Sequence, residues 1–227
     1  MCYSPEVSFG SAAGLLSVGV YTFRTALRRA RWFWPLAVVP CFFGVQQASE
    51  GFVWVGFDRD DSRLVLTAAT IYLFFAVAFW PTWFSVSAAL IEPSDWKRRW
   101  LFLWAALSTG WFFAVYLPML KSLEATTVHV VGHSVRYETT DPGVAALDSV
   151  DVWMQRLLYA LTVALPILAA SPRKVLFVPV SLSLVSGVVA AILFDYAFTS
   201  VWCLWCAFVS ATLVYSVMTA PSNPTAA

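Results

Sequence analysis

The sequence predicts an all-α, polytopic membrane protein with seven transmembrane helices. Three observations carry this. Of 227 residues, 60% are hydrophobic and 12% charged, whereas a soluble domain has about 25% charged. Mean hydropathy is +0.73. A span needs roughly 20 mostly apolar residues, and stretches of that kind recur at about 9–25, 33–57, 64–91, 99–119, 153–170, 175–197 and 199–219. They make one domain over residues 1–220, and the tail 221–227 reads as disordered.

Each stretch is bounded by charges, Pro or Gly. Pro81, Pro118, Pro166 and Pro179 lie inside stretches; spanning helices accept them where neighbours satisfy the freed carbonyls, so kinks are expected there. Trp96, Trp100, Trp153 and Trp202 fall near predicted ends, where indole rings settle at the headgroup level. The opening MCYSPEVSFG lacks a basic leader and a small-x-small site, so no removable signal peptide is expected.

Lys and Arg in the short connections set the orientation. Arg24, Arg28, Arg29 and Arg31 mark the first connection, Lys97, Arg98 and Arg99 the third, Arg173 and Lys174 the fifth. These are the expected inner loops, leaving the N-terminus outside and the C-terminus inside, in a multi-pass protein of the inner (plasma) membrane. The fourth connection, outside, holds TVHVVGHSVRYE. Its apolar–polar alternation on either side of Gly132 and His133 predicts a short β-hairpin. A net charge of +1, with no Gly-rich phosphate loop, leaves no basis for nucleic-acid binding. The lipid bilayer is the expected partner.

This orientation gathers the chemically distinctive residues at the outer face. Glu50 is the first, because an ionisable group inside a span costs about 2.5–3.5 kcal/mol and is paired, protonated or functional. Gln46 and Gln47 share its helix face. His129 and His133, the two histidines of the chain, have the H-x-x-x-H spacing of helical zinc sites but lack the central Glu and sit in a hairpin pattern. Cys203 and Cys206 form C-x-x-C, a spacing open to a redox pair, metal ligands, an external disulfide or two buried apolar side chains. Cys2 adds an external thiol; Cys41 falls on the inner side. Aromatic residues make up 17% of the chain and suit a quinone, lipid or pigment pocket as well as an interface belt. Retinal is excluded because the seventh stretch has no Lys for a Schiff base.

At MCYSPEVSFGSAAG, QQASEGFVW and WCLWCAF the chain resembles an uncharacterised family of bacterial seven-helix membrane proteins that open with MCFSA-like sequences. The resemblance runs from residue 1 to about 219. It implies the architecture and singles out Cys2, Gln46, Gln47, Glu50, the histidine loop, Trp205 and Cys206, without implying an activity. Seven-helix ceramidases and receptor-like hydrolases are similar in helix number, but their zinc takes three His, an Asp and a Ser, and two His are present here.

The expectation is a zinc or copper site at the outer face, with His129 and His133 as nitrogen ligands and Glu50, Cys2, Cys203 or Cys206 completing it. Two imidazoles and a carboxylate leave a coordination position open, the arrangement that activates water with Glu50 as the catalytic carboxylate. A sulfur-rich set favours copper. One alternative is a thiol–disulfide oxidoreductase passing electrons from Cys203 and Cys206 to a quinone. Another is a non-catalytic binding or accessory subunit of a membrane-protein complex, with Glu50 and the glutamines as interhelical glue.

Overall fold

A computed structural model of the chain describes residues 4–121, 126–139, 151–171 and 173–223. Among them, helical bodies replace the seven expected stretches, with ends shifted by a few residues. Helix α1 (Pro5–Arg29) starts at Ser4, whose hydroxyl accepts from the Val7 amide, with Pro5 pre-set in the first turn. Its buried side is Ser8, Ala12, Leu15, Gly19, Thr22 and Ala26, a narrow stripe of mostly small residues at three- and four-residue steps.

A tight turn at Arg31–Phe33 leads into α2 (Trp34–Ala37) and α3 (Val39–Asp58). The α1 stripe packs on α3 at very short range. A methyl added at Gly44 would stand 2.8 Å from the Leu16 side chain, and one at Gly19 would stand 2.5 Å from the Cys41 backbone nitrogen. Small residues at such crossings let helix backbones approach where no water drives association.

Helix α4 (Ser62–Leu73) is capped by the Asp61 carboxylate on the Leu64 amide. It runs into a π-helical segment, Phe74–Phe79, and then α5 (Trp80–Ile91). This is where Pro81 acts. In π register the donor to the Ala76 carbonyl would be residue 81, which has no N–H. The Tyr159 hydroxyl donates to that carbonyl instead. The kink expected at Pro81 therefore takes the form of a π turn, while α7 (Val152–Ala169) and α8 (Arg173–Leu193) continue through Pro166 and Pro179. Helix α6 (Asp95–Lys121) precedes the hairpin, and a turn at Asp195–Ala197 leads into α9 (Phe198–Ser210) and α10 (Leu213–Thr219).

Among the described residues four stretches are long and apolar enough to cross a membrane: Ser62–Ile91, Val152–Ala169, Leu176–Leu193 and Asp195–Thr219. The expected hairpin is present, β1 (Thr126–Val131) against β2 (Ser134–Thr139), with Gly132 at φ +62° in the turn. β1 lies against α4, and β2 against α9 and the 195–197 turn.

At the opposite end the buried Glu92 carboxylate accepts from the backbone amides of Ser94 (2.9 Å) and Ser171 (2.7 Å) and from the Ser171 hydroxyl (2.9 Å). It fastens the connection after α5 to the one after α7. At this end also, Trp83 donates to the Pro35 carbonyl and Trp32 to the Pro221 carbonyl. Helix α10 lies against α1, so the last helix packs on the first. Residues 221–223 of the tail are described; 224–227 lie outside the described residues.

The α1–α3 crossing gives a direct test. Gly19→Leu should destabilise the protein by about 1–3 kcal/mol through overpacking, read as a lower Tm in detergent. Gly14→Leu, where an added methyl meets nothing within 4 Å, should leave Tm unchanged.

Candidate functional site

The most polar interior position is on α3. Gln46, Gln47 and Glu50 are each 0% exposed, Glu50 one helical turn from the adjacent pair as the spacing predicts. Four other elements close around them. From α9, the Ser200 hydroxyl donates to Glu50 Oε1 at 2.7 Å. From β2, the Tyr137 hydroxyl makes a longer contact to the same oxygen at 3.4 Å. The Tyr137 ring stacks on that of Tyr72 from α4, with centroids 4.8 Å apart and planes 12° from parallel. From α5, Trp80 Nε1 donates to Gln46 Oε1 at 2.9 Å. The hairpin is thus a cover over this chamber: Val135 is fully buried against α3 and α4, in a cluster with Val53, Val65 and Ala68.

The hydrogen bonding is incomplete. Gln47 Nε2 and Oε1 are buried without a partner among the described residues, and Gln46 Nε2 has only the soft Cys203 thiol beside it. Since a buried amide left dry costs about 1–3 kcal/mol, Gln47 is an expensive residue to keep there.

The structure brings only part of the expected set together. Glu50 and Cys203 meet: the Cys203 thiol lies beside Tyr72 and Gln46, in the field of Glu50. Cys206 is one turn further along α9, and both are free thiols. The histidines go elsewhere. His129 pairs across the hairpin with Arg136, not His133, and His133 is in the exposed turn. Side chains alternate along a strand, so His129 projects from the face opposite Tyr137. There its Nε2 lies 3.9 Å from Glu138, which is already bound by Arg136 at 2.5 Å. Among the described residues no group of three or more His, Cys, Asp and Glu could hold a metal ion; Cys2 lies outside them. The donor set expected for zinc or copper is therefore not assembled around Glu50 by the described side chains.

Ser200, Tyr137, Tyr72 and Trp80 are contributors that sequence reasoning did not single out. Two had a legible signal. Ser200 precedes Cys203 by three residues and so shares its helix face, and Tyr137 lies two residues from Val135 on the apolar face of β2.

An apolar cavity of about 100 Å³ adjoins the chamber, lined by residues of α2, α3, α5, α7, α8, α9 and α10. Trp80 and Cys203 belong to both, forming the partition. Behind it Trp80 stacks on Phe43, centroids 4.0 Å apart.

Removing the strongest hydrogen bond of the chamber has a stated outcome. Ser200→Ala should cost about 1–3 kcal/mol, because Glu50 loses a buried donor, and Ser200→Thr should recover most of it. Chemical denaturation in detergent checks this.

No curated protein and no solved structure matches the chain. One family model covers residues 1–227, the whole of it. The protein whose interior carries this chamber belongs to the family of unknown function DUF6629.

Proposed function

We propose that this protein is a multi-pass plasma-membrane binding protein that receives a hydrogen-bonding group of a small ligand in the Gln46–Gln47–Glu50 chamber. The N-terminus and hairpin face outward and the C-terminus inward. Gln47 carries the reading: a fully buried amide with donor and acceptor both unpartnered is complementary to a ligand that offers an acceptor and a donor. A leucine there would be more stable, so the amide earns its position by what it holds.

The orientation is supported by the grouping of connections. The Arg-rich first connection, the connection after α5 and the one after α7 share an end with Pro221, through Trp32, Trp83 and Glu92. Those are the connections beside the Lys and Arg residues that mark an inner face. The hairpin and the 195–197 turn meet at the other end.

Native mass spectrometry of the full chain, released in mild detergent, tests the ligand. An organic adduct is expected on the wild type and not on Gln47→Leu, and the empty variant should gain stability by about 1–3 kcal/mol. A bare wild-type mass together with a stabilised Gln47→Leu overturns the proposal. A zinc or copper ion in place of an organic adduct overturns it in favour of the metal reading with Cys2.

Orientation has its own check. In a Cys2→Ser background, His129→Cys should react with a membrane-impermeant maleimide in intact cells, whereas Lys97→Cys should react only after the membrane is opened. The reverse pattern rejects the assigned topology.

A further inference from the structure

We infer that the ligand is an amphiphile whose hydrocarbon chain lies in the cavity beyond Trp80 and Cys203, while a carbonyl or hydroxyl oxygen of its head meets Gln46. This rests on the reading of the chamber as a ligand site and adds what class of molecule it takes.

The cavity wall offers almost nothing but carbon and sulfur. No charged, His, Asn or Gln side chain lines it. Four of its polar side chains are turned into the surrounding helices: Tyr159 donates to the Ala76 carbonyl, Trp202 Nε1 to the Ser183 carbonyl at 2.9 Å, Ser210 to the Ala207 carbonyl at 2.6 Å, and Trp80 to Gln46; the Ser183 hydroxyl lies beside the Cys206 thiol. A space so lined stays dry and takes apolar matter; an engineered cavity of about 150 Å³ with such walls binds benzene or xenon. At about 100 Å³, the present one accommodates a short run of methylenes. It is partly open and is walled by α7 and α8, whose outer residues Leu161, Leu165, Val185 and Ile192 are exposed apolar surface. The rest of a longer chain has apolar surface to follow outward.

The head is placed by an independent observation. Gln46 is fully buried, its Oε1 taken by Trp80 and its Nε2, without a hydrogen bond of full geometry among the described residues, set beside the Cys203 thiol, so it stands directly behind the two residues that partition chamber from cavity. For an oxygen at the end of a chain in the cavity to meet that donor, the Trp80 indole or the Cys203 side chain between them must swing aside; Gln47 is one residue further along α3. Cys203 and Cys206 acquire a role in the same picture: spaced by three on α9, they form one side of the chain's channel as small, soft, apolar side chains. Two kinds of molecule share the required chemistry, isoprenoid quinones and acyl lipids.

Photolabelling of the purified full chain with a palmitate analogue bearing a mid-chain diazirine tests this. Adducts are expected on the α7 and α9 segments around Tyr159–Ala164 and Trp202–Cys206. Ala164→Phe, which fills the cavity, should reduce them at least about tenfold, with Ala160→Leu as the second filling variant should the first fail to fold. Decylubiquinone and monopalmitoylglycerol serve as competitors, and selective displacement by one identifies the head class. Gln46→Leu should weaken that competition about tenfold, the worth of one buried hydrogen bond, without abolishing labelling.

Labelling confined to outward residues such as Leu161 and Val185, unchanged by cavity filling, overturns the inference. So does an organic adduct that Gln47→Leu abolishes and Ala164→Phe leaves intact; in that case the chamber reading stands alone. Cavity labelling with competition unaffected by Gln46→Leu and Gln47→Leu overturns both the placement of the head and the chamber reading, leaving an apolar site alone.

Discussion

The hydrogen bond from Ser200 to Glu50 joins residues 150 positions apart in the chain, and much of the architecture follows from the need to make it. A carboxyl group on the inward face of α3 is tolerable only if other segments bring donors to it. That requirement fixes which face α9 presents and draws the hairpin down until Tyr137 reaches the same oxygen. With Tyr137 stacked on Tyr72, one end of the bundle is shut by a β element, unusual company for helices that are otherwise packed through alanine, glycine and aromatic rings. Polar anchoring and apolar sealing are here the same contact.

Pro81 works in the same direction from another helix. Its missing N–H frees the Ala76 carbonyl, and the extra residue in the π turn changes the facing of everything after it on α5. Trp80 follows that turn directly. Its indole N–H points to Gln46 while its ring stacks on Phe43 and Phe84. The partition between a hydrogen-bonding compartment and a greasy one is therefore set by a backbone irregularity, in keeping with the tendency of π turns to accompany functional positions. Tyr159, which satisfies the freed carbonyl, also closes one wall of the cavity.

Much of this was readable in advance. Apolar length found the helical bodies, alternation found the hairpin, and the three-four spacing of Gln46, Gln47 and Glu50 put them on a common face. The histidines show where such reading stops. Their grouping with Glu50 rested on lying at the same end of the bundle, but a strand offers two faces, and which one turns inward depends on docking. Val135 and Tyr137 took the inner face because Val53, Val65 and Tyr72 were there to receive them, and this sent His129 outward with Arg136 and Glu138. The C-x-x-C motif was equally ambiguous. Its meaning depends on whether both sulfurs face a partner or a void, and only the packing of α7, α8 and α9 reveals the void. Glu92 was overlooked altogether, since a single acid at a helix end gives no hint of the second loop it will fasten.

The contact between α10 and α1, reinforced by Trp32 on Pro221, closes a seam of the bundle between two helices that are synthesised far apart in time. Most helices find an adjacent partner soon after emerging. One flank of α1 must instead wait until residues 213–219 have been made. Chains cut short upstream of α10 would carry an open seam along α1, a flank left without the helix that covers it.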